Sequence, residues 1–85
     1  MEYIVQGKLE NIGPLKNELI GLGYKVDSNL FLKSGKIESI INELVPHLEQ
    51  RGINVFDELY LEEYNTHGTM QSVYNKGKIT RLEID

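Results

Sequence analysis

Residues 53–64 have the sequence INVFDELYLEEY, and the conformation of this segment decides which fold the chain can adopt. Apolar residues occupy both odd and even positions, with Leu61 in one series and Tyr60 and Tyr64 in the other. This pattern is typical of a strand that is apolar on both sides, and we predict a strand through the whole segment. The alternative is a helix that begins at Asp57, because aspartate is a good N-cap residue.

The segment before it, residues 34–52, has the pattern of an amphipathic helix. Its apolar residues fall on one helical face, and they are Ile37, Ile40, Ile41, Leu44, Val45 and Leu48. Ser34 and Gly35 suit the start of this helix, and Gly52 suits its end. Pro46 lies inside the segment without a backbone N–H group, so we expect the helix to kink or restart there.

Three shorter elements are predicted in the N-terminal third of the chain. Residues 2–6 alternate enough to indicate a strand. Residues 13–22 have helical spacing, and Pro14 suits the first turn of that helix. Residues 24–33 contain two apolar patches separated by the turn-forming sequence Asp-Ser-Asn, which favours a small hairpin or one bent strand.

The C-terminal part of the chain is predicted to be a hairpin. Residues 70–74 and 78–84 have the composition of strands, and residues 75–77 join them. Gly77 is expected to take a positive φ angle in this turn.

The resulting order of elements is β-α-β(β)-α-β-β-β, which predicts a single α+β domain over residues 1–85. It fits a ferredoxin-like split βαβ arrangement extended by a C-terminal hairpin, with two helices on one face of a mainly antiparallel sheet. Such layering leaves the other face of the sheet open. An open face must be solvated or covered by a partner.

Composition narrows the function classes. The formal net charge of the 85 residues is −4. Sequence-independent binding to a nucleic-acid backbone is therefore not expected, because it needs an excess of basic residues to neutralise the phosphates. Residues 1–20 lack the basic start and long apolar run of a signal peptide, and no membrane span is indicated, so we expect a cytoplasmic protein. Alanine, tryptophan and cysteine are absent, whereas isoleucine, asparagine and lysine are abundant. This bias favours an AT-rich source such as a low-GC bacterium, its phages or its mobile elements.

No constellation of catalytic residues is visible in the sequence. The two histidines, His47 and His67, are 20 positions apart, and neither is accompanied by a second ligand at metal-binding spacing. The Gly-x-Ser-x-Gly nucleophile motif is also absent. We therefore expect a protein that is not an enzyme and that uses no metal or cofactor.

The most promising binding residues are acidic and aromatic. In an extended segment Glu58, Tyr60, Glu62 and Tyr64 would share one face of the sheet. Tyrosines supply buried anchors and carboxylates supply complementary charge, so these residues predict a binding or inhibitory surface for a protein partner, or for a second copy in a homodimer. The plainer interpretation is a solvated edge whose charges deter strand pairing.

A second candidate site lies at the predicted start of the longer helix. Lys33, Ser34 and Lys36 place two cations and a hydroxyl beside the partial positive charge of a helix N-terminus. This arrangement suits a small anionic metabolite or nucleotide, held either by one chain or at a dimer interface. An ordinary helix cap would also account for Ser34 and Gly35.

Overall fold

Within residues 2–82, which this computed structural model describes, six strands form one antiparallel sheet. The strands are β1 (Ile4–Lys8), β2 (Lys25–Asp27), β3 (Leu30–Ser34), β4 (Tyr60–Tyr64), β5 (Met70–Asn75) and β6 (Lys78–Arg81). Their spatial order is β2-β3-β1-β4-β5-β6. The first strand is therefore central, and all five of its residues pair with β3 on one side and β4 on the other.

In the described part of the chain, three α-helices accompany the sheet. They are α1 (Lys16–Gly21), which continues from a 3₁₀ turn at Gly13–Leu15, α2 (Ile37–Gln50) and α3 (Val55–Glu58). The predicted α+β class is confirmed, with one more helix than the sequence indicated.

The sheet has a covered face and an open face. Directly paired residues of neighbouring strands lie on the same face. On the covered face, Val5, Phe31 and Leu61 of the strands are buried together with Leu19 and Leu44 of the helices. The open face carries, on its three middle strands, Ile4, Gln6, Lys8, Leu30, Leu32, Ser34, Tyr60, Glu62 and Tyr64. The predicted layering, with helices on one face of the sheet, is thus confirmed.

A glycine in the central strand allows an aromatic ring to pack directly on the backbone. Gly7 lies opposite Phe31 of β3 and Leu61 of β4. A Cβ atom at this position would lie 2.1 Å from the Cζ atom of Phe31 and 2.7 Å from the Cδ2 atom of Leu61. Glycine is therefore needed for the core to close over the middle of the sheet.

Residues 53–64 do not form one strand, and that prediction is wrong for the first half of the segment. The Oδ1 atom of Asn54 accepts hydrogen bonds from the backbone N–H groups of Phe56 (2.9 Å) and Asp57 (3.3 Å), and this cap starts α3. Acidic residues in the first turn also favour a helix. The alternative of a helix from Asp57 is not correct either, since α3 begins at Val55 and ends at Glu58. After Leu59, the predicted strand is present as β4.

The long helix passes through Pro46 without restarting, so the expected restart is wrong. The carbonyl group of Asn42, whose usual N–H partner the proline lacks, belongs to an exposed residue. Water can satisfy that carbonyl group. The helix is held instead by its buried face, which includes Ile40, Leu44 and Leu48.

The hairpins agree more closely with the predictions made from the sequence. Lys76 and Gly77 have φ angles of 54° and 74°, as a two-residue type I′ turn requires, so the positive φ predicted for Gly77 is confirmed. Strands β2 and β3 form the predicted small hairpin. The first strand starts at Ile4, two residues later than predicted, and the predicted extension of the last strand to residues 83–84 lies outside the described residues.

Candidate functional site

The open face presents apolar side chains that no helix of the described chain covers. Ile4, Leu30 and Leu32 are 44%, 38% and 39% exposed, and all three lie on the two neighbouring strands β1 and β3. In a protein of this size, apolar residues gathered on one uncovered surface indicate a binding site more often than single exposed residues do. These three residues form one side of the candidate site.

The other side of the site is a row of three residues on β4, Tyr60, Glu62 and Tyr64, hereafter the Tyr-Glu-Tyr row. The hydroxyl group of Tyr60 donates to Oε2 of Glu62 at 2.8 Å, and the hydroxyl group of Tyr64 donates to Oε1 at 2.8 Å. The three side chains are half-buried. Alternation along the strand places them on one face, and the central carboxylate then draws both phenol groups toward it.

The carboxylate also makes the two phenols harder to deprotonate. Its hydrogen bond raises the pKa of Tyr60 above the ordinary value near 10, and burial and its negative charge act in the same direction. The same hydrogen bond to Glu62 raises the pKa of Tyr64. Both hydroxyl groups therefore remain protonated to a higher pH than that of an ordinary tyrosine, and they donate to Glu62 throughout the neutral range.

In the sheet, the residues directly opposite Glu62 are neutral, whereas Lys8 of β1 lies opposite Tyr60. Gln6 of β1 and Val73 of β5 lie directly opposite Glu62. Beside the row is a shallow hollow of about 130 Å³, lined by Gln6, Gly7, Lys8, Leu30, Tyr60 and Glu62. Small-molecule sites are generally about 300 Å³ or larger, so this hollow suits a side chain of a partner better than a metabolite.

Glu58, the fourth predicted residue of this surface, is elsewhere. It is the last residue of α3, is exposed, and accepts a hydrogen bond from the backbone N–H group of Asn54 at 2.9 Å. Its placement on the sheet face was wrong because the local N-cap makes the segment helical. The structure thus brings together three of the four predicted residues.

The structure does not bring Lys33, Ser34 and Lys36 together as an anion site. The ammonium group of Lys33 lies on the covered side, where it donates to Glu43 at 2.9 Å and to the carbonyl oxygen of Leu22 at 2.7 Å. Ser34 lies on the open face, opposite Ile4. The ammonium group of Lys36 lies 5.8 Å from the centre of the Tyr3 ring.

A buried carboxylate occupies the N-terminus of α2 instead. Glu63, which is 4% exposed, accepts a hydrogen bond from the backbone N–H group of Ile37 at 2.8 Å. Its other carboxylate oxygen lies 3.7 Å from the guanidinium group of Arg81, which also donates to the hydroxyl group of Ser72 at 2.8 Å and to Glu38. A negative charge at a helix N-terminus is stabilising, so Glu63 acts as the cap that Ser34 and Gly35 were predicted to supply.

The histidines are placed apart from the site. The Nδ1 atom of His47 lies 2.9 Å from Oε2 of Glu18, which also accepts from Arg51 at 2.7 Å. His67 is exposed in the loop between β4 and β5. Among residues 2–82, no group of three or more histidine or carboxylate side chains is arranged to hold a metal ion.

Ile4, Leu30 and Leu32 were not predicted as site residues. Each was visible in the sequence as an apolar residue of a short strand, but a short apolar strand does not show which of its faces is covered. The signal that identifies them is the strand pairing, since Gln6 lies opposite both Leu32 and Glu62. That register joins the apolar residues and the Tyr-Glu-Tyr row into one surface.

Comparison of the chain with protein-family models, with curated proteins and with solved structures gave no match. None of the helices described above is both long and apolar enough to cross a membrane. The functional interpretation is therefore based on the open face alone.

Proposed function

We propose that this chain is a binding protein without enzymatic activity, which docks on a protein partner through the open face of its sheet. The observation that supports this function is the uncovered surface formed by Ile4, Leu30 and Leu32 beside the Tyr-Glu-Tyr row. Aromatic anchors next to apolar residues are the usual centre of a protein interface.

The chemistry of the row supports binding over catalysis. Glu62 is held by two neutral phenol groups and has no histidine or second carboxylate among the hydrogen bonds of the described residues. A general acid or base needs a pKa that its surroundings shift toward neutrality, usually through a second titratable group. A rigid carboxylate between two tyrosines is better suited to recognising a complementary surface.

Affinity capture with matched variants tests this function. The tagged chain is produced in its own host cells as the wild type, as Tyr60→Ala/Tyr64→Ala, and as Asn42→Ala/Glu49→Ala on the exposed side of α2. Urea unfolding first establishes that each variant is folded. We expect the wild type and the α2 variant to enrich the same protein and the tyrosine variant to lose it. Equal enrichment by all three folded proteins would refute a role for the open face.

A further inference from the structure

The carboxylate of Glu62 has acceptor positions that the chain itself does not fill. An ionised carboxylate offers about four lone-pair positions, and the two phenol groups use one on each oxygen. Among residues 2–82, the ion pairs formed by lysine, arginine and histidine involve Glu18, Glu38, Glu43 and Glu63, and none involves Glu62. Within that part of the chain the half-buried carboxylate of Glu62 thus forms no ion pair, although Lys8 also lines the hollow beside it.

From this we propose that the Tyr-Glu-Tyr row receives one arginine side chain from the protein partner. This inference rests on the proposed function and names the chemistry of the partner. The guanidinium group donates to the remaining lone pairs of Glu62, while its plane lies against the rings of Tyr60 and Tyr64. Arginine fits better than lysine, because it is planar, donates through two nitrogens at once, stacks on aromatic rings and is less strongly hydrated.

The apolar residues around the row increase the strength of such a contact. Val73 of β5 lies opposite Glu62, and Ile4 of β1 lies opposite the neighbouring Tyr64, so a docked partner that covers these apolar residues would exclude water from the row. Electrostatic attraction is stronger where water is excluded. The partner we infer therefore presents an arginine flanked by apolar side chains.

A second copy of this chain does not supply that arginine. The sequence has two arginines, Arg51 and Arg81, and both are engaged within the chain, Arg51 with Glu18 at 2.7 Å and Arg81 with Glu38 and Ser72. A two-fold axis close to the row would also bring two Glu62 carboxylates together, and like charges oppose association. The charges of the open face thus favour a different protein.

Titration with short capped peptides tests the inference, with chemical shifts measured by NMR. The probes are acetyl-Leu-Arg-Leu-amide, its lysine counterpart and its glutamate counterpart. We expect the arginine peptide to shift the ring signals of Tyr60 and Tyr64 and the amide signals of Gln6 and Val73, with a dissociation constant on the order of 1 mM. The lysine peptide should bind several-fold more weakly, and the glutamate peptide should cause no saturable shift.

A pair of charge-matched variants makes the result specific. Glu62→Gln should weaken the arginine peptide about tenfold, which corresponds to the loss of one charge-assisted contact. Glu49→Gln, an equal change of net charge on an exposed position of α2, should leave the affinity unchanged. Each variant must retain the native amide spectrum.

Failure of this inference can be told apart from failure of the proposed function. Equal binding of the lysine and arginine peptides, or no saturable shift of the row, would overturn the assignment of arginine. So would unchanged capture of the native partner by folded Glu62→Gln. The proposed function would still stand in these cases if the Tyr60→Ala/Tyr64→Ala variant loses the partner that the α2 variant retains.

Discussion

Glu62 and Glu63 are neighbours on β4 and have opposite surroundings. Glu63 points to the covered face, where the N–H group of Ile37 and the guanidinium group of Arg81 balance its charge. Glu62 points to the open face, where two phenol groups donate to it and no cation of the described chain pairs with it. Glutamate thus has two roles on this strand. Glu63 completes the fold on the covered face, and Glu62 remains available for binding on the open face.

We infer from this contrast that the two faces of the sheet have different roles. Buried charges are costly unless they are paired, so the pairing of Glu63 is a requirement of folding. The half-buried Glu62 is tolerated because it remains in contact with water. Substitutions on the covered face should therefore change stability, and those on the open face should change binding.

The largest contrast in stability is expected between two adjacent residues of β3. Phe31 is 1% exposed and Leu32 is 39% exposed. Phe31→Ala should reduce the free energy of unfolding by about 3–5 kcal/mol, because a large buried ring leaves a cavity. Leu32→Ala should reduce it by about 1 kcal/mol or less. Urea denaturation measures both, and similar losses would mean that the open face is part of the core.

The glycines provide the next contrast. Gly7→Ala places a Cβ atom against Phe31 and Leu61, and we expect a loss of about 3 kcal/mol from overpacking. Gly21→Ala, in α1, meets no atom within 4 Å and should stabilise the protein by about 0.5–1 kcal/mol, since alanine favours a helix. Thermal unfolding of the two variants gives the comparison. A neutral Gly7→Ala variant would contradict the packing of Phe31 on the central strand.

A smaller difference in the free energy of unfolding is expected between substitutions of the two glutamates. Glu63→Gln removes the negative charge at the N-terminus of α2 and should cost about 2 kcal/mol, as for other hydrogen bonds to charged groups. Glu62→Gln should change the free energy of unfolding by about 0.5 kcal/mol or less. If both substitutions were equally harmful in urea denaturation, the distinction between the two faces would fail.

The smallest effect concerns the titration of the tyrosines. The pKa values of Tyr60 and Tyr64 are raised by Glu62, and that of Tyr24 is raised by burial and by its hydrogen bond to Glu43. Because these pKa values are higher in the folded state, the stabilising hydrogen bonds are complete below pH 10 and are lost as the pH rises through the folded pKa values.

The substitution Glu62→Gln distinguishes the titration of Tyr60 and Tyr64 from that of Tyr24. It should lower the pKa of Tyr60 and Tyr64 toward the ordinary value and leave that of Tyr24 unchanged. The chemical shifts of the tyrosine ring carbons, followed against pH while the amide spectrum stays native, measure each residue separately. Unaltered titration of Tyr60 and Tyr64 in Glu62→Gln would show that the row does not form in solution.

Much of the fold was predictable because its signals are local. Helical spacing indicated α2, and the Asn-Lys-Gly turn indicated the last hairpin. The start of α3 was missed because the cap of Asn54 outweighed an apolar pattern that suits a strand equally well. The cap of α2 was missed because Glu63 is distant from Ile37 in sequence.

The candidate site was predictable only in part, for a similar reason. The row of Tyr60, Glu62 and Tyr64 lies within one strand, so alternation alone places its members on one face. Ile4 and Leu32 join the row through pairing between strands, and a single sequence does not give that register. Lys33 was assigned to an anion site because it precedes α2. Its actual partner on α2, Glu43, was missed because it lies ten positions away in sequence.

Site-specific cross-linking is the most direct test of the claim that the open face is where this protein binds its partner. A photoreactive phenylalanine derivative replaces Leu32 on the open face or Asn42 on the exposed side of α2, and the cells are irradiated. We predict a discrete adduct with another protein from position 32 and none from position 42. An adduct from position 42 alone, or one from position 32 with the mass of two copies of this chain, would contradict the account.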